Sequence, residues 1–275
     1  MNIVFIGAGN LATSLSFALQ QTGYRIAQVW SRSIESCQVL SERLGDVPYT
    51  TDYTAIRTDA DLYVFAVTDG ALSSVVEEVS KVFANAAEQK NRLFVHVAGT
   101  QPMEKLMPLQ PFGHIGVFYP FQAFTRNKMV DLRHTCFFIE GDDEPTQHNL
   151  ESLAHELTDR VYKADMQQRG YIHLAGVLTG NFSNCLYAIA SEIVASVGLP
   201  FSILLPVIQE TEQKVQTQSP RAAQSGPAMR GDQVTIEKHL RLLADLEAQN
   251  PALKSGGVSL SDVYRFFTAN IQASR

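Results

Sequence analysis

The stretch MNIVFIGAGNLA at residues 1–12 decides how the chain begins to fold. Its apolar run predicts a buried strand, and the glycines directly after it predict a tight turn into a helix. Gly7 would permit the turn, Gly9 would let the backbone approach a pyrophosphate, and small Ala12 would let the helix pack close to the strand. We assign the contacts with a dinucleotide to Gly7, Ala8, Gly9, Asn10 and Leu11. A glycine-rich turn without a ligand is the alternative.

Short apolar runs alternate with helical patterns from residue 1 to about residue 163. Such alternation is typical of a parallel sheet covered by helices on both faces, so we predict an α/β, doubly wound Rossmann domain over 1–163. Its strands are predicted at 2–6, 26–30, 62–67, 93–97, 115–119, 136–139 and 160–162. Its helices are predicted at 11–21, 34–44, 72–84 and 146–158.

No strand pattern follows residue 163, and we predict an all-α domain over 164–275. Its first helix, 172–197, ends before Gly198 and Pro200, which are ordinary stop signals. Further helices are predicted at 201–217, 234–249 and 260–273, separated by a Ser/Pro/Gly-rich loop at 218–231 and turn-rich residues at 250–257. Because helices of this kind leave wide apolar faces, we expect a homodimer.

The composition of the chain excludes several classes of function. Of its 275 residues 18% are charged, and the formal net charge is −6, so we expect no nucleic-acid partner. We find no signal peptide and no uninterrupted apolar stretch of about 20 residues, so we expect a cytoplasmic protein without membrane contact. The three cysteines lie far apart in sequence, and we predict that they are reduced and buried thiols: Cys37, Cys136 and Cys185. The seven histidines show no metal-binding spacing, and we expect no metal.

The end of the second predicted strand distinguishes NAD from NADP. An NAD site usually places Asp or Glu there to bind the ribose hydroxyls, whereas a 2′-phosphate favours Arg and hydroxyl groups. The segment reads Ser31-Arg32-Ser33, with no acid before Glu35. We therefore predict that Arg32 and the two serines bind the 2′-phosphate of NADPH. A solvated Arg32 is the alternative.

Two further strand ends should border the nicotinamide, because ligands of doubly wound sheets gather at the carboxyl ends of the strands. The residues that we assign to the cofactor there are Ala66, Val67, Thr68, His96 and Gly99. Asp69 is either a site residue or only the N-cap of the following helix. His96 is either a site residue or a satisfied core histidine.

With these motifs the N-terminal half resembles NADP-dependent oxidoreductases of the pyrroline-5-carboxylate reductase and 6-phosphogluconate dehydrogenase type. The motifs are GAGNLA at 7–12, WSRS at 30–33 and AVTD at 66–69. The whole chain is similar to a family that joins a Rossmann-like domain to a helical C-terminal domain of unknown function. The motifs of that family are HVAG at 96–99, YPFQAF at 119–124, the helix at 173–181, and GPAMRGD at 226–232 with Thr235 and His239. The resemblance implies this fold and NADP binding, without an agreed substrate.

Two positions depart from what the resemblance implies. Many relatives have His where this chain has Tyr119, so a group that titrates near neutral pH would be replaced by a phenol. Hydroxyacid dehydrogenases of this type carry Lys four residues before an Asn, and the residue four before Asn181 is Val177. Ordinary 3-hydroxyacid dehydrogenase chemistry is therefore disfavoured.

Three candidate catalytic residues lie in the predicted helical domain: His173, Asn181 and Arg230. Helical spacing puts His173 and Asn181 on one face, where His suits a proton donor and Asn could hold the heteroatom of the substrate. Arg230 follows a loop and would clamp a carboxylate or phosphate. The alternatives are a His173 that only packs between helices, and an Arg230 that is solvated or paired with Asp232.

These patterns predict an enzyme that transfers hydride between NADPH and a C=O or C=N bond of a small metabolite, in a cleft between the two domains. Arg230 makes an anionic metabolite an option. The alternative is an NADP-binding sensor or interaction protein without turnover, which the fold alone does not exclude. The missing lysine favours that alternative, and the polar face around His173 favours an enzyme.

Overall fold

The structure, a computed structural model, describes residues 1–86, 92–125, 129–250 and 258–274. Its strands are β1 (Asn2–Ile6), β2 (Arg25–Trp30), β3 (Tyr49–Thr50), β4 (Leu62–Phe65), β5 (Leu93–His96), β6 (His114–Phe121), β7 (Cys136–Gly141) and β8 (Val161–Lys163). Its α-helices are α1 (Asn10–Gln21), α2 (Ile34–Arg43), α3 (Asp69–Ala84), α4 (Glu144–His155), α5 (Met166–Gly176), α6 (Ser183–Ala195), α7 (Leu205–Thr217), α8 (Pro227–Arg230), α9 (Gln233–Gln249) and α10 (Leu260–Ala273). Of the turn-rich stretch predicted at 250–257, residues 251–257 lie outside the described residues.

All eight strands form one sheet in the order β3-β2-β1-β4-β5-β6-β7-β8. The first six in this order are parallel, β7 runs antiparallel to β6, and β8 is parallel to β7. The strand order reverses between β1 and β4, where a doubly wound sheet opens a crevice for a ligand. The carboxyl ends of β1, β4, β5 and β6 therefore meet at one edge.

The sheet is buried on both faces, as β1 shows. Ile3 and Phe5 pack in one apolar cluster with residues of α1 and α4, whereas Val4 and Ile6 pack in a second cluster with residues of α3. Side chains alternate along a strand, so a strand that is apolar at every position requires a layer on each face. The predicted fold class, a Rossmann domain joined to helices, is confirmed.

The predicted elements differ from the structure in several places. The loop predicted at 218–231 contains the short helix α8, and a 3₁₀ helix over Met103–Phe112 lies where no element was predicted. The strand β3 has only two residues, too few to produce a sequence pattern. The helix predicted at 172–197 begins earlier, at Met166, because Asp165 and Gln168 form a capping box in which each side chain accepts from the backbone N–H of the other. It is also interrupted by a π-helix over Val177–Phe182 between α5 and α6.

Contacts divide the chain into two units, Met1–Gly180 and Asn181–Arg275. The sheet ends at Lys163, where we predict the end of the first domain, and α5 groups with the sheet in this division. The boundary at residue 163 stays a prediction. The second unit is helical, and within the described residues no helix is long and apolar enough to cross a membrane.

The cysteines are all free, and their burial differs from the prediction. Cys37 is buried, Cys136 is half-buried, and Cys185 on α6 is exposed. The prediction of a buried Cys185 was wrong. Most residues of α6 are apolar, as the prediction assumed, but none of them is buried.

Candidate functional site

The loop after β1 has the geometry of a phosphate-binding turn. Gly7 has φ +122°, and a Cβ atom there would lie 2.2 Å from the carbonyl oxygen of Ala66, so only glycine fits. Gly9 is exposed at the N-cap of α1, and no atom lies within 4 Å of the position of its absent Cβ. The backbone N–H groups at the start of α1 therefore face open space, as a pyrophosphate requires.

A cleft of about 460 Å³ extends from this loop to α2. The loop contributes Ala8 and Asn10, and one face of α2 contributes residues at three- and four-residue steps. The cleft is lined on this side by the residue before α2, Ser33, and by the α2 residues Glu35, Ser36, Val39, Leu40 and Arg43. Arg43 is exposed and forms no ion pair within the described part of the chain. The sequence prediction missed Arg43, although its helical spacing from Ser36 could have indicated it.

The segment after β2 lies beside this cleft. Ser33 is the N-cap of α2: its hydroxyl oxygen accepts from Ser36 N at 3.1 Å and its hydroxyl donates to Glu35 Oε2 at 2.7 Å. Ser31 Oγ accepts from Ser33 N at 3.4 Å. Arg32 is exposed, and it forms no ion pair with any residue that the structure describes. The donors that we predict for a 2′-phosphate are thus present, but the hydroxyl of Ser33 is engaged.

Trp30, the last residue of β2, forms an aromatic pair with Tyr53. The ring centroids lie 4.4 Å apart, and the ring planes are tilted by 30°. Burial raises the pKa of Tyr53, and the positive charge of Arg32 acts in the opposite direction. Together with the loop and the cleft, these groups fit the adenosine half of a phosphorylated dinucleotide.

Asp69 joins the ends of β4 and β5. Its carboxylate Oδ2 accepts from Thr100 Oγ1 at 2.5 Å and from Gln101 Nε2 at 3.0 Å. The N-cap position of α3 belongs to Thr68, so the N-cap interpretation of Asp69 was wrong. Asp69, just after β4, instead binds Thr100 and Gln101, which follow β5 and lie 31 and 32 residues further along the chain.

Of the other residues that we assign to the cofactor at these ends, Ala66, Val67 and Thr68 are half-buried or exposed. His96 is fully buried; its Nδ1 accepts from Ala98 N at 3.2 Å, and its Nε2 has no hydrogen-bond partner among the described residues. Burial, with a smaller effect from the charge of Arg169, lowers the pKa of His96 to about 4. His96 is therefore neutral at physiological pH, and its contact with a cofactor stays a prediction.

Tyr119 and His173 form a pair within the first unit. Tyr119 lies on β6, just beyond the residues that pair with β5, and His173 lies on α5. The Tyr119 hydroxyl is 3.3 Å from His173 Nδ1, and the direction of the hydrogen bond depends on the imidazole tautomer. Tyr119 is buried, whereas His173 is exposed. Burial, followed by the charge of Asp69, raises the pKa of Tyr119 to about 12.

Two glycines, Gly99 and Gly176, allow close packing around this pair. A Cβ atom at Gly99 would lie 2.5 Å from Cζ of Tyr119, and one at Gly176 would lie 2.6 Å from Cε2 of Phe121. Gly176 is three residues after His173 on α5, and Phe121 is two residues after Tyr119 on β6. Helix α5 and strand β6 therefore contact each other at two points, His173 with Tyr119 and Gly176 with Phe121. The departure at Tyr119 places a phenol where its hydroxyl meets an imidazole.

Arg169, on the same helix, is completely buried. Its guanidinium forms an ion pair with Glu140 of β7, and it donates to the carbonyl oxygens of Ala164 at 2.8 Å and Gln101 at 3.1 Å. Gln101 in turn donates to Asp69. Arg169 thus ties the start of α5 to the polar groups at the ends of β4 and β5. No sequence motif indicated this role.

The other predicted catalytic residues belong to the second unit. Asn181 lies in the π-helix and is exposed, and Arg230 is the last residue of α8 and is also exposed. Asp232 caps α9 by accepting from the backbone N–H and the hydroxyl of Thr235, at 3.0 and 2.7 Å, and forms no ion pair with Arg230. His173 groups with the first unit, so a joint role for the three residues stays a prediction.

One histidine and two acids lie together at the opposite ends of the strands, where β6 begins and β7 ends. His114 Nδ1 is 3.4 Å from Asp142 Oδ1 and 3.5 Å from Asp143 Oδ2. Asp143 is the N-cap of α4 and accepts from Thr146 N. The positive end of that helix already satisfies the acid, so these residues form a helix cap with a neighbouring imidazole.

Comparisons with known proteins agree with this architecture. A Rossmann-like domain matches residues 1–118, and the domain of unknown function DUF2520 matches residues 135–270. A Bacteroides fragilis protein classed as a candidate NADP oxidoreductase is 38% identical, with 99% of this chain and 98% of that chain covered and a TM-score of 0.84. The chain belongs to the Rossmann-like/DUF2520 family. The predicted resemblance is thereby confirmed. A comparison with curated proteins gives no match.

Two more distant structures share the fold of this Rossmann-like/DUF2520 protein. A reductive aminase from Aspergillus terreus, in complex with NADPH and ethyl-5-oxohexanoate, is 16% identical, with 99% and 93% of the two chains covered and a TM-score of 0.61. A pyrroline-5-carboxylate reductase from Coxiella burnetii is 18% identical, with 98% of each chain covered and a TM-score of 0.54. At these identities the likeness establishes the fold alone.

Proposed function

We propose that this protein is an NADPH-dependent reductase of a C=N or C=O bond in a small metabolite. The observation that carries the proposal is the pair of Tyr119 and His173, whose hydroxyl oxygen and Nδ1 lie 3.3 Å apart. Tyr119 belongs to the sheet that also bears the dinucleotide loop, and His173 belongs to α5. A hydride acceptor of this kind needs a proton on its heteroatom, and a phenol beside an imidazole can supply it. NADPH, when bound, supplies the hydride.

The cofactor assignment rests on the first unit. The open backbone at Gly9, the cleft beside α2, and the exposed Arg32 suit a dinucleotide with an additional phosphate. The Bacteroides fragilis relative is classed as a candidate NADP oxidoreductase, which supports the same cofactor. We therefore prefer NADPH to NADH.

The proton would move through Tyr119 and His173. The raised pKa keeps Tyr119 protonated at neutral pH, so its hydroxyl is a donor and not a phenolate. His173 is exposed and can exchange a proton between water and the Tyr119 oxygen through its ring. The carboxylate of Asp69, held by Thr100 and Gln101, favours a positive charge nearby, such as that of an iminium group.

Two residues of the second unit complete the proposal. Asn181 would hold the heteroatom of the substrate, and Arg230 would bind an anionic group on it. The names of the aminase and the pyrroline-5-carboxylate reductase both denote chemistry at a carbon–nitrogen bond, so we rank C=N above C=O.

The test uses the purified full chain with NADPH and a panel of cyclic imines and of ketones mixed with amines. We expect oxidation of NADPH with at least one of them, and a reduced product in the mass spectrum. Tight binding of NADPH without turnover on any C=N or C=O compound would contradict the reductase.

A non-catalytic NADPH sensor is the second candidate. Val177 stands where related dehydrogenases carry a lysine, so one proton-transfer group of such enzymes is missing. For a sensor, NADPH should change the binding of a protein partner while substrates remain unconverted.

We further propose a cytoplasmic homodimer. In the described chain neither α6 nor α7 contains a buried residue, and large apolar side chains such as Phe182, Val207 and Phe266 are more than half exposed. Exposed apolar area of this extent usually marks an interface, and symmetric dimers are the commonest assembly. A mass measurement that finds only monomer at micromolar concentration would contradict the dimer.

A further inference from the structure

Glu35 occupies an unusual place in the proposed cofactor cleft. It is the second residue of α2, and its carboxylate accepts from the hydroxyl of Ser33 at 2.7 Å. That hydrogen bond, and after it the backbone N–H of Glu35 itself, lowers the pKa of Glu35. The carboxylate is therefore ionised, and it accepts hydrogen bonds at the N-terminus of the helix, where a negative charge is favoured.

The Ser33 hydroxyl is also one of the donors that we predict for the 2′-phosphate of NADPH. Glu35 lines the cleft together with Ala8 and Asn10 of the dinucleotide loop, so it faces the space assigned to the nucleotide. Arg43 lines the same cleft, and Arg32 directly precedes Ser33 in sequence. Neither arginine forms an ion pair with Glu35 in the part of the chain that the structure describes. Both arginines thus remain available to a phosphate, whereas the Ser33 hydroxyl is occupied.

We propose that the Glu35 carboxylate is an intramolecular competitor of the 2′-phosphate of NADPH, and thereby limits how strongly the protein prefers NADPH to NADH. The proposal rests on the cofactor of the proposed function. NADPH must displace the carboxylate from Ser33 and tolerate its negative charge nearby, whereas NADH, which lacks the phosphate, does neither. Glu35 is exposed, so its side chain can rotate into solvent.

The experiment compares the dissociation constants of NADPH and NADH for the wild-type chain and for Glu35→Gln, at low ionic strength because salt screens exposed charges. We expect NADPH to bind about threefold to tenfold more tightly to Glu35→Gln, since one like-charge interaction at the surface is removed. The affinity for NADH should stay within about twofold of the wild-type value.

Glu42→Gln is the matched control. Glu42 is exposed on the same helix, accepts from Gln38 Nε2 at 3.0 Å, and does not line the cleft. The substitution changes the net charge of the protein by the same amount. We expect both affinities to stay within about twofold of the wild-type values in this variant.

Glu35→Ala provides a second measurement, because it removes the hydrogen-bond acceptor as well as the charge. It should strengthen NADPH binding at least as much as Glu35→Gln. Unchanged or weaker NADPH binding in both Glu35 variants would overturn the proposal, and so would a selective loss of NADH affinity, which would indicate that Glu35 binds ribose hydroxyls. A wild-type chain that binds neither nucleotide would overturn both proposals. Nucleotide binding without turnover would contradict the reductase alone.

Discussion

Gly99 lies against the ring of Tyr119, and a Cβ atom at position 99 would stand 2.5 Å from Tyr119 Cζ and 2.8 Å from its hydroxyl oxygen. Because Gly99, just after β5, has no side chain, the ring of Tyr119 on the neighbouring strand β6 can lie against it. Because the hydroxyl of that ring meets His173, the position of the proposed proton donor depends on residue 99.

The first prediction concerns Gly99→Ala. The added methyl group should displace the Tyr119 ring and lower the free energy of unfolding by about 1 to 3 kcal/mol, as overpacking usually does. Urea denaturation measures the change. Gly170→Ala on α5 is the control, since nothing lies within 4 Å of a Cβ there, and it should stabilise the helix by about 0.5 to 1 kcal/mol. Equal stabilities of the two variants would contradict the close approach.

The second prediction separates binding from proton transfer. With a substrate found as described above, His173→Gln should reduce kcat by about 10² to 10⁴ while the dissociation constant of NADPH stays unchanged. Tyr119→Phe, which removes only the hydroxyl, should have a similar effect on kcat. Steady-state kinetics and a nucleotide titration give the two quantities.

His148→Gln is the control for these two variants, because His148 is exposed on α4. It should leave kcat unchanged. If Tyr119→Phe retains full kcat while His173→Gln does not, the imidazole acts without the phenol, and the proposed relay is wrong.

The third prediction concerns the buried Arg169. Arg169→Met leaves Glu140 without its cation and should lower the free energy of unfolding by about 3 kcal/mol or more. The double variant Arg169→Met/Glu140→Gln should recover part of that loss, because the unpaired charge is gone. A double-mutant cycle in urea measures the coupling, and purely additive effects would show that the ion pair contributes little.

The fourth prediction concerns pH and His96. The pKa of His96 in the folded chain is about 4, below the ordinary value of 6.5, so the unfolded chain binds the proton more readily. Above about pH 6.5 His96 is neutral in both the folded and the unfolded chain, and the stability of the fold is fully present. As the pH falls towards 4, the unfolded chain gains the proton first, and the free energy of unfolding decreases by about 3 kcal/mol in total.

Unfolding free energies at pH 7 and pH 4.5 test this, with His96→Asn as the variant. The loss of stability between the two values should be smaller in His96→Asn than in the wild type. His134→Asn, at an exposed position, should behave like the wild type. An identical loss in all three proteins would mean that His96 is not held neutral by burial.

The fold was predictable because its signals are local. The apolar run before Gly7 and the alternation of strands and helices required no knowledge of distant contacts, and each predicted strand lies within about two residues of an observed one. The strand β3 escaped because two residues have no period. The start of α5 could have been found, since Asp165 and Gln168 have the spacing of a capping box.

The candidate site was only partly predictable, because its contacts join residues far apart in sequence. Asp69 has the local pattern of a helix cap, and its actual partner Thr100 is 31 residues away. Tyr119 and His173, 54 residues apart, were each noted but could not be paired without the register of β6 against α5. Arg169 has no motif at all, since its role depends on burial.

The guanidinium of Arg169 has a consequence for the order of folding. Its partners Gln101, Glu140 and Ala164 lie 68, 29 and 5 residues away, so two long loops must close before this charge can leave water at an acceptable cost. A chain that has formed only its early local helices would keep Arg169 hydrated and α5 undocked. Docking of α5, and with it the approach of His173 to Tyr119, therefore depends on contacts between residues that lie far apart in sequence.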